Sequence, residues 1–525
     1  MIARAGALCL ALVTAAGCIA AADRLPALGP ALRPPGRVGD AGDRLAIPAA
    51  TATLTCPGPE TAVAPDGSAP LPDAGPFALT AVAAGTDAAR AHLSGLDGGP
   101  AAVAQRTGGG AVRVLERDGN PGRPLRLAAA PAGPDPTSLA AVQATLARGG
   151  DRRGLVAAAC PAATADAWLV GSGTAPGRRA RLLLANPTPA PAVVDVLVAG
   201  PSGPVATPSA RGLVVAPGRV RAVQLDALVP GLARLAVHVV ARRGRVASLL
   251  YDSALEGTTP AGVDDVPVAA PAARQVTVPG LVVAGVPGAP PDTLTVRLAA
   301  PGGDDAVVRV HLSGPAGDVQ LPGGGVVTVP AGGVADVPVP GLVPGAYAAL
   351  AEADVPIVAG AVVRVAGPPS GPLHVAPADV GWAAGAPALR GDVVAALPRP
   401  IDSRQRVVTP ATGVTTLALT AAGQDADVVV RQIGPDGAVV RQRPAHVAAR
   451  RTVGVDLGPD AAALELVVHG GQEVWAGVGV RVSDRRGPLL ALLPLTPTVT
   501  AATDAPLAVP DPWLGGPPAQ SSSLP

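Results

Sequence analysis

Six histidines are the chain's first candidates for acid–base or metal chemistry, and none stands at a metal-binding spacing such as His-Glu-x-x-His. His238, His311 and His469 fall within or at the ends of strand-like segments. Glu352 occupies the place of His238 one repeat later, so that place accepts any polar group and reads as an exposed strand position, not a catalytic base. The acid pairs Asp264-Asp265 and Asp304-Asp305 are adjacent, and neighbours on an extended chain point to opposite faces, which does not support paired-carboxylate catalysis. All 40 basic residues are arginine, so there is no P-loop lysine and no Schiff-base lysine. The run Gly171-Ser172-Gly173-Thr174-Ala175-Pro176-Gly177 imitates a nucleotide loop. However, Pro176 and the extended Arg181-Leu182-Leu183-Leu184 stand where a helix should begin, and the run reads as a hairpin loop. No catalytic, cofactor-binding or metal residue is assigned, and no cofactor is expected.

The elements that would position any site repeat along the chain. Gly200-Pro201-Ser202-Gly203, Gly314-Pro315-Ala316-Gly317 and Gly434-Pro435-Asp436-Gly437 each close a valine-rich alternating segment. Upstream, Val194, Val196 and Val198 align with Val308, Val310 and Leu312 and with Val428, Val430 and Gln432, a period-two pattern of half-buried strands. Proline presets φ at the second turn position and glycine supplies a left-handed fourth, which suits a hairpin with a bulge. Copies two and three also share a strand expected to be their last, Ala359 to Val365 and Ala476 to Val482. Short strands, frequent Gly/Pro/Asp turns and no sustained helical period predict an all-β chain. We expect tandem immunoglobulin-like antiparallel β-sandwiches after an N-terminal hydrophobic leader helix, with one further amphipathic helix over residues 137–148.

A chain of 525 residues exceeds one core, and the repeat divides it. The expected organisation is a signal peptide or membrane anchor (1–22), a Pro/Gly-rich linker (23–48), an N-terminal β domain (49–165), repeats at 166–270, 271–375 and 376–490, and a disordered tail (491–525). Aromatics make up only 1% of residues, so the cores must be thin layers of Ala, Val and Leu. Trp168 and Trp382, each placed ahead of the first strand of a repeat, and Trp475, placed in the last strand of the third, are expected as core or interdomain plugs. The net charge of +1 offers no field for nucleic acid. The arginine pairs 178–179, 242–243 and 450–451 read as solvated strand edges.

Residues 5–22 form an uncharged, mostly apolar run, about 27 Å long as a helix and just enough to cross a bilayer core. Three outcomes stay open: lipidation at Cys18 in Ala15-Ala16-Gly17-Cys18, cleavage near Ala20-Ala21-Ala22, or an uncleaved anchor. All place the chain outside the cytoplasm, tethered or secreted. Cys56 and Cys160, each just before a proline, are then candidates for one disulfide, with two separate buried thiols as the alternative.

The stretch Cys56-Pro57-Gly58-Pro59-Glu60, Arg153-Gly154-Leu155 through Cys160-Pro161 to Trp168 and Gly171, Leu184-Ala185-Asn186-Pro187, and more loosely Gly257 to Asp264 together carry a resemblance. They resemble actinobacterial exported proteins of domain-of-unknown-function family 5719. The resemblance implies an envelope-associated exported protein with a role near envelope-glycan assembly, and it supplies no catalytic residues. The expected function is a non-enzymatic extracytoplasmic scaffold or binding module of the cell envelope, whose partners are the membrane, through the N-terminus, and an envelope glycan or protein, with no nucleic acid. The alternatives are an exported enzyme acting on envelope glycans at an inter-domain site without a sequence motif, and a lipoprotein that captures a small ligand in a deep pocket.

Overall fold

In the computed structural model the described residues are 51–59, 76–85, 88–100, 112–118, 124–130, 137–369, 376–399, 413–484 and 486–500, with short strands at 44–46, 61–64, 67–70, 104–106 and 504–506. Cys18, the leader, most of the linker and most of the tail lie outside them. One compact unit spans Ala49–Ala501; in the other, Arg44–Ala46 pairs antiparallel with Asp504–Pro506. Among the described residues the chain is nearly all β, its strands antiparallel and its α-helix a single turn at Leu225–Leu228.

In the N-terminal region a sheet ordered Gly154–Ala159, Ser138–Ala147, Phe77–Ala84, Val112–Asp118, Ala104–Arg106 faces a smaller one ordered Ala52–Cys56, Leu125–Ala129, His92–Gly95. Leu54, Phe77, Leu79, Leu127 and Leu139 fill the space between them. Ser138–Ala147 is therefore a strand and not the expected helix. It is central in its sheet and covered on both faces, so the alanines and leucines that favour helix in isolation are overruled by pairing on both sides.

The first repeat pairs a sheet of Asp166–Val170, Ala192–Gly200 and Ala236–Arg243 with one of Arg178–Ala185, Ala247–Glu256 and Thr259–Val266 around a shared core of Leu182, Leu184, Val194, Val196 and Val237. Val194, Val196 and Val198 are buried there, as are Val308, Val310 and Leu312 in the second repeat and Val428, Val430 and Gln432 in the third, so the period-two alignment holds. The three Gly-Pro-x-Gly frames are hairpin turns whose last glycines take φ of 125°, 108° and 79°. The third turn carries a register shift at Gln432/Ile433. In the second repeat one strand, Gly345–Ala366, pairs through its first half with Ala273–Val283 and Ala306–Gly314 and through its second half with Thr293–Ala299.

Three further strands stand beside the aligned ones. Thr259–Val266, Ala378–Ala384 and Gly487–Pro494 are each hydrogen-bonded to the strand before them, so in the second and third repeats one more strand follows the pair the alignment gave as last. Ala378–Ala384 extends the sheet that holds the second half of Gly345–Ala366. Gly487–Pro494 runs past residue 490, and Val499–Thr500 pair with Ser138–Ala147 inside the N-terminal sheet. Trp168 and Trp382 lie within strands, and Trp475 begins the penultimate strand of its repeat. Nor do the units hang like beads. Val82, Val142, Leu146 and Leu155 of the N-terminal region share one core with Leu417, Leu464, Val478 and Leu489 of the third repeat.

Candidate functional site

The three closing strands and Gly154–Ala159 of the N-terminal sheet pack against one another, and their polar groups meet at Asp379. This carboxylate is fully buried. Its Oδ2 accepts the backbone N–H of Leu155 and of Leu490, each at 3.0 Å, and Oδ1 accepts that of Val263 at 3.2 Å. One side chain thus bonds to a strand from each of the other three units. Burial pushes its carboxyl up to about 7, against the pull of these N–H groups.

Three residues along the same strand, the chain is held a second time. Trp382, 2% exposed, donates its backbone N–H to Asp264 at 2.6 Å and its indole N–H to Asp252 at 2.9 Å. Asp252 also accepts from Ser172 Oγ at 2.8 Å and from Arg178 at 2.6 Å. Arg297 lies 5.4 Å over the Trp382 ring, forms a two-point ion pair with Asp336 and donates to the Ser172 carbonyl. Burial drives the Asp264 carboxyl well above the ordinary carboxylate range, with the charges of Asp265 and Asp379 adding to the shift and the Trp382 N–H opposing it.

Asp265, on the opposite face as adjacency requires, accepts from Gln143 at 3.4 Å. Gln143 in turn holds Gly58 through Oε1 at 3.0 Å. Gly58 follows Cys56, which is bonded to Cys160 with the Cα atoms 4.6 Å apart, so the candidate pair is joined. Close packing sets the residue types around these groups. A Cβ on Gly154 would come within 2.1 Å of Val263 Cγ1 and 2.9 Å of Asp379 Oδ1, while Gly262, at φ +120°, faces Val380 N at 2.7 Å. Arg153, 1% exposed, donates to the Gly487 carbonyl at 2.9 Å.

The remaining sequence candidates distribute as follows. The Gly171–Gly177 run is no hairpin: it carries the chain from the sheet of Asp166–Val170 to that of Arg178–Ala185, and its Ser172 is buried in the network. His238 stacks on Trp168 with ring centroids 4.2 Å apart and bonds Asp166 at 2.9 Å, so it is half-buried and not the exposed site expected. His311 is half-buried on its strand and His469 is exposed just past one. Asp304 and Asp305 sit in an exposed turn, where Asp305 accepts from Ala331 N at 2.8 Å. Of the arginine pairs, Arg178, Arg242 and Arg450 are held by Asp252, Asp195 and Asp318. Asn186 is fully buried and secures its loop through the carbonyls of Ala190 and Val215 and the N–H of Thr188. No group of three or more metal-ligating side chains occurs among the described residues.

Sequence reasoning missed the carboxylate cluster because Asp264 was judged only with its chain neighbour Asp265, and Asp252 and Asp379 meet it only through the fold. The signal available was an Asp inside an otherwise apolar strand, as in Ala378-Asp379-Val380-Gly381-Trp382. The carboxylates do converge at a junction of units, yet they face backbone donors and the indole in a sealed interior.

No curated protein matches the chain. Among solved structures, an α-L-rhamnosidase of Streptomyces avermitilis in complex with L-rhamnose aligns at 10% identity and a TM-score of 0.12, covering 82% of this chain and 55% of that one, so the chain spans about half the enzyme's length. Arg153, Gly154, Asn186 and Asp264 carry the contacts described above, and Gly171 lies against Trp382, whose Cε3 would stand 3.0 Å from a Cβ added there. A family of unknown function, DUF5719, is matched over residues 103–458, and the chain belongs to it.

Proposed function

We propose that the two-sheet units are tandem immunoglobulin-like sandwiches and that the chain is a non-enzymatic extracytoplasmic scaffold of the cell envelope, tethered or exported through its N-terminus, which holds an envelope glycan or protein on its surface. The observation that carries this reading is the use made of Asp379: a buried carboxylate bonds strands of three other units and fixes them to its own. A group arranged in this way serves geometry. It makes four units one block, which suits a platform that must keep several surfaces at constant spacing. The Cys56–Cys160 disulfide supports the extracytoplasmic placement, since such bonds persist in oxidising compartments.

The test is affinity capture from solubilised envelope fractions with the full-length chain, alongside protease shaving of whole cells that express it. A scaffold retains a defined glycan or envelope protein and is cut from outside. Retention of neither class, or protection from external protease, sinks the proposal.

A further inference from the structure

A cavity of about 310 Å³ opens where the N-terminal sheet, the third repeat and the two connections at 267–271 and 385–387 meet. Its size is at the lower end of small-molecule sites. Its wall has an unusual chemistry. Pro161, Pro267, Pro271, Pro387, Pro494 and Pro497 all line it, and a proline amide has no N–H to give. Alanine, valine and leucine make up most of the rest, with no ionisable side chain and no aromatic ring. The polar side chains on the wall are Thr496, which is exposed at the rim, and Thr498, whose Oγ1 accepts the Val394 N–H at 3.1 Å.

Each property excludes a class of ligand. A sugar or a nucleotide needs several donors and a charge or ring to meet it, and this wall offers two threonine hydroxyls at most, no charge and no ring. A cavity of apolar lining is a poor host for water and takes apolar guests. Proline fixes φ in the segments around the mouth, so the space does not simply collapse when empty. We infer that this cavity is a binding site for a slender aliphatic chain, acyl or isoprenoid, with about ten carbons inside, taking about 30 Å³ for each methylene-sized group, and a polar head left at the mouth beside Thr496. The inference stands on the lining and goes beyond the scaffold reading, whose glycan or protein partner would be met on an outer surface.

The experiment titrates the full-length chain by calorimetry with hexanoate, octanoate, decanoate and dodecanoate, and separately with farnesol. Affinity is expected to rise about fourfold per added methylene up to decanoate and then to level off as the cavity fills. Decanoate bound in preference to farnesol marks an acyl guest, and the reverse an isoprenoid one. Ala395→Phe and Ala159→Phe, which place a ring in the space, are each expected to weaken binding at least tenfold. If either variant fails to fold, the chain-length series on the unaltered protein decides. No binding of any probe at millimolar concentration, an affinity independent of chain length, or undiminished binding by a folded Phe variant overturns the inference.

Discussion

Asp379 Oδ2 accepts the backbone N–H of Leu490 at 3.0 Å, joining the closing strand of the second repeat to that of the third. The same oxygen takes Leu155 of the N-terminal sheet, so two units far apart in sequence share one acceptor atom. An unpaired N–H in this dry interior would cost about 1 to 3 kcal/mol, and the carboxylate relieves three of them at once.

Stability should fall as pH rises from about 4 to about 7. The Asp379 carboxyl is raised from 3.8 to about 7 on folding, so across that interval the folded chain keeps a proton that the unfolded chain has released. Stability from this group is complete below the lower value and is lost as pH climbs through the upper one, at no more than about 1.4 kcal/mol per pH unit. Asp264, raised in the same sense, adds to the slope. Urea midpoints measured at intervals from pH 4 to 8 check this, and Asp379→Asn should flatten the curve while lowering stability at pH 5. A midpoint that rises over that range contradicts the assignment.

Trp382→Phe keeps the ring plane over which Arg297 lies and removes the indole N–H that Asp252 accepts. Asp252 retains Ser172 and Arg178, so the expected loss is modest, about 1 to 2 kcal/mol in a denaturant titration. Asp252→Ala should cost more, because it strands the indole, the Ser172 hydroxyl and the Arg178 guanidinium together.

Gly154→Ala inserts a methyl where Val263 Cγ1 already stands 2.1 Å away. Neither the strand nor Val263, 2% exposed, has free space to yield into, so about 1 to 3 kcal/mol of destabilisation is expected. Limited proteolysis should show the N-terminal region loosening from the first repeat before either unfolds. A variant as resistant as the parent would show that the contact is soft.

Joint replacement of Cys56 and Cys160 by alanine frees a loop with a sequence separation of 104. Chain entropy puts the loss at up to about 4.7 kcal/mol. The thermal midpoint under oxidising conditions should drop to near that of the reduced parent, and coincident midpoints for the oxidised parent and the double variant would refute the estimate.

The elements were legible where one face is wet and the other buried. Val308, Val310 and Leu312 alternate with Arg309 and His311, and that alternation located the strand, while the Gly-Pro-x-Gly turn that closes it and its copies located the repeat. The closing strands were hidden for the opposite reason: Ala378–Ala384 is buried along its whole length, so it shows no alternation. Ser138–Ala147 failed likewise, since a short run of Ala and Leu reads as helix until its partners are known. The disulfide partners could be named because only two cysteines remained beyond the leader, a matter of counting. The meeting of Asp252 and Asp264 with Asp379 depends on the first and second repeats docking, and no local pattern encodes it.

The core shared by the first and last units also sets an order of events. A chain made from its N-terminus presents Val82, Val142 and Leu146 long before Leu489 and Leu493, which help to cover them, have emerged. The earliest unit to arrive must therefore wait, apolar face uncovered, for the latest. Loss of the final hundred residues should therefore leave the apolar face of the N-terminal region uncovered, a consequence for folding that no single unit shows by itself.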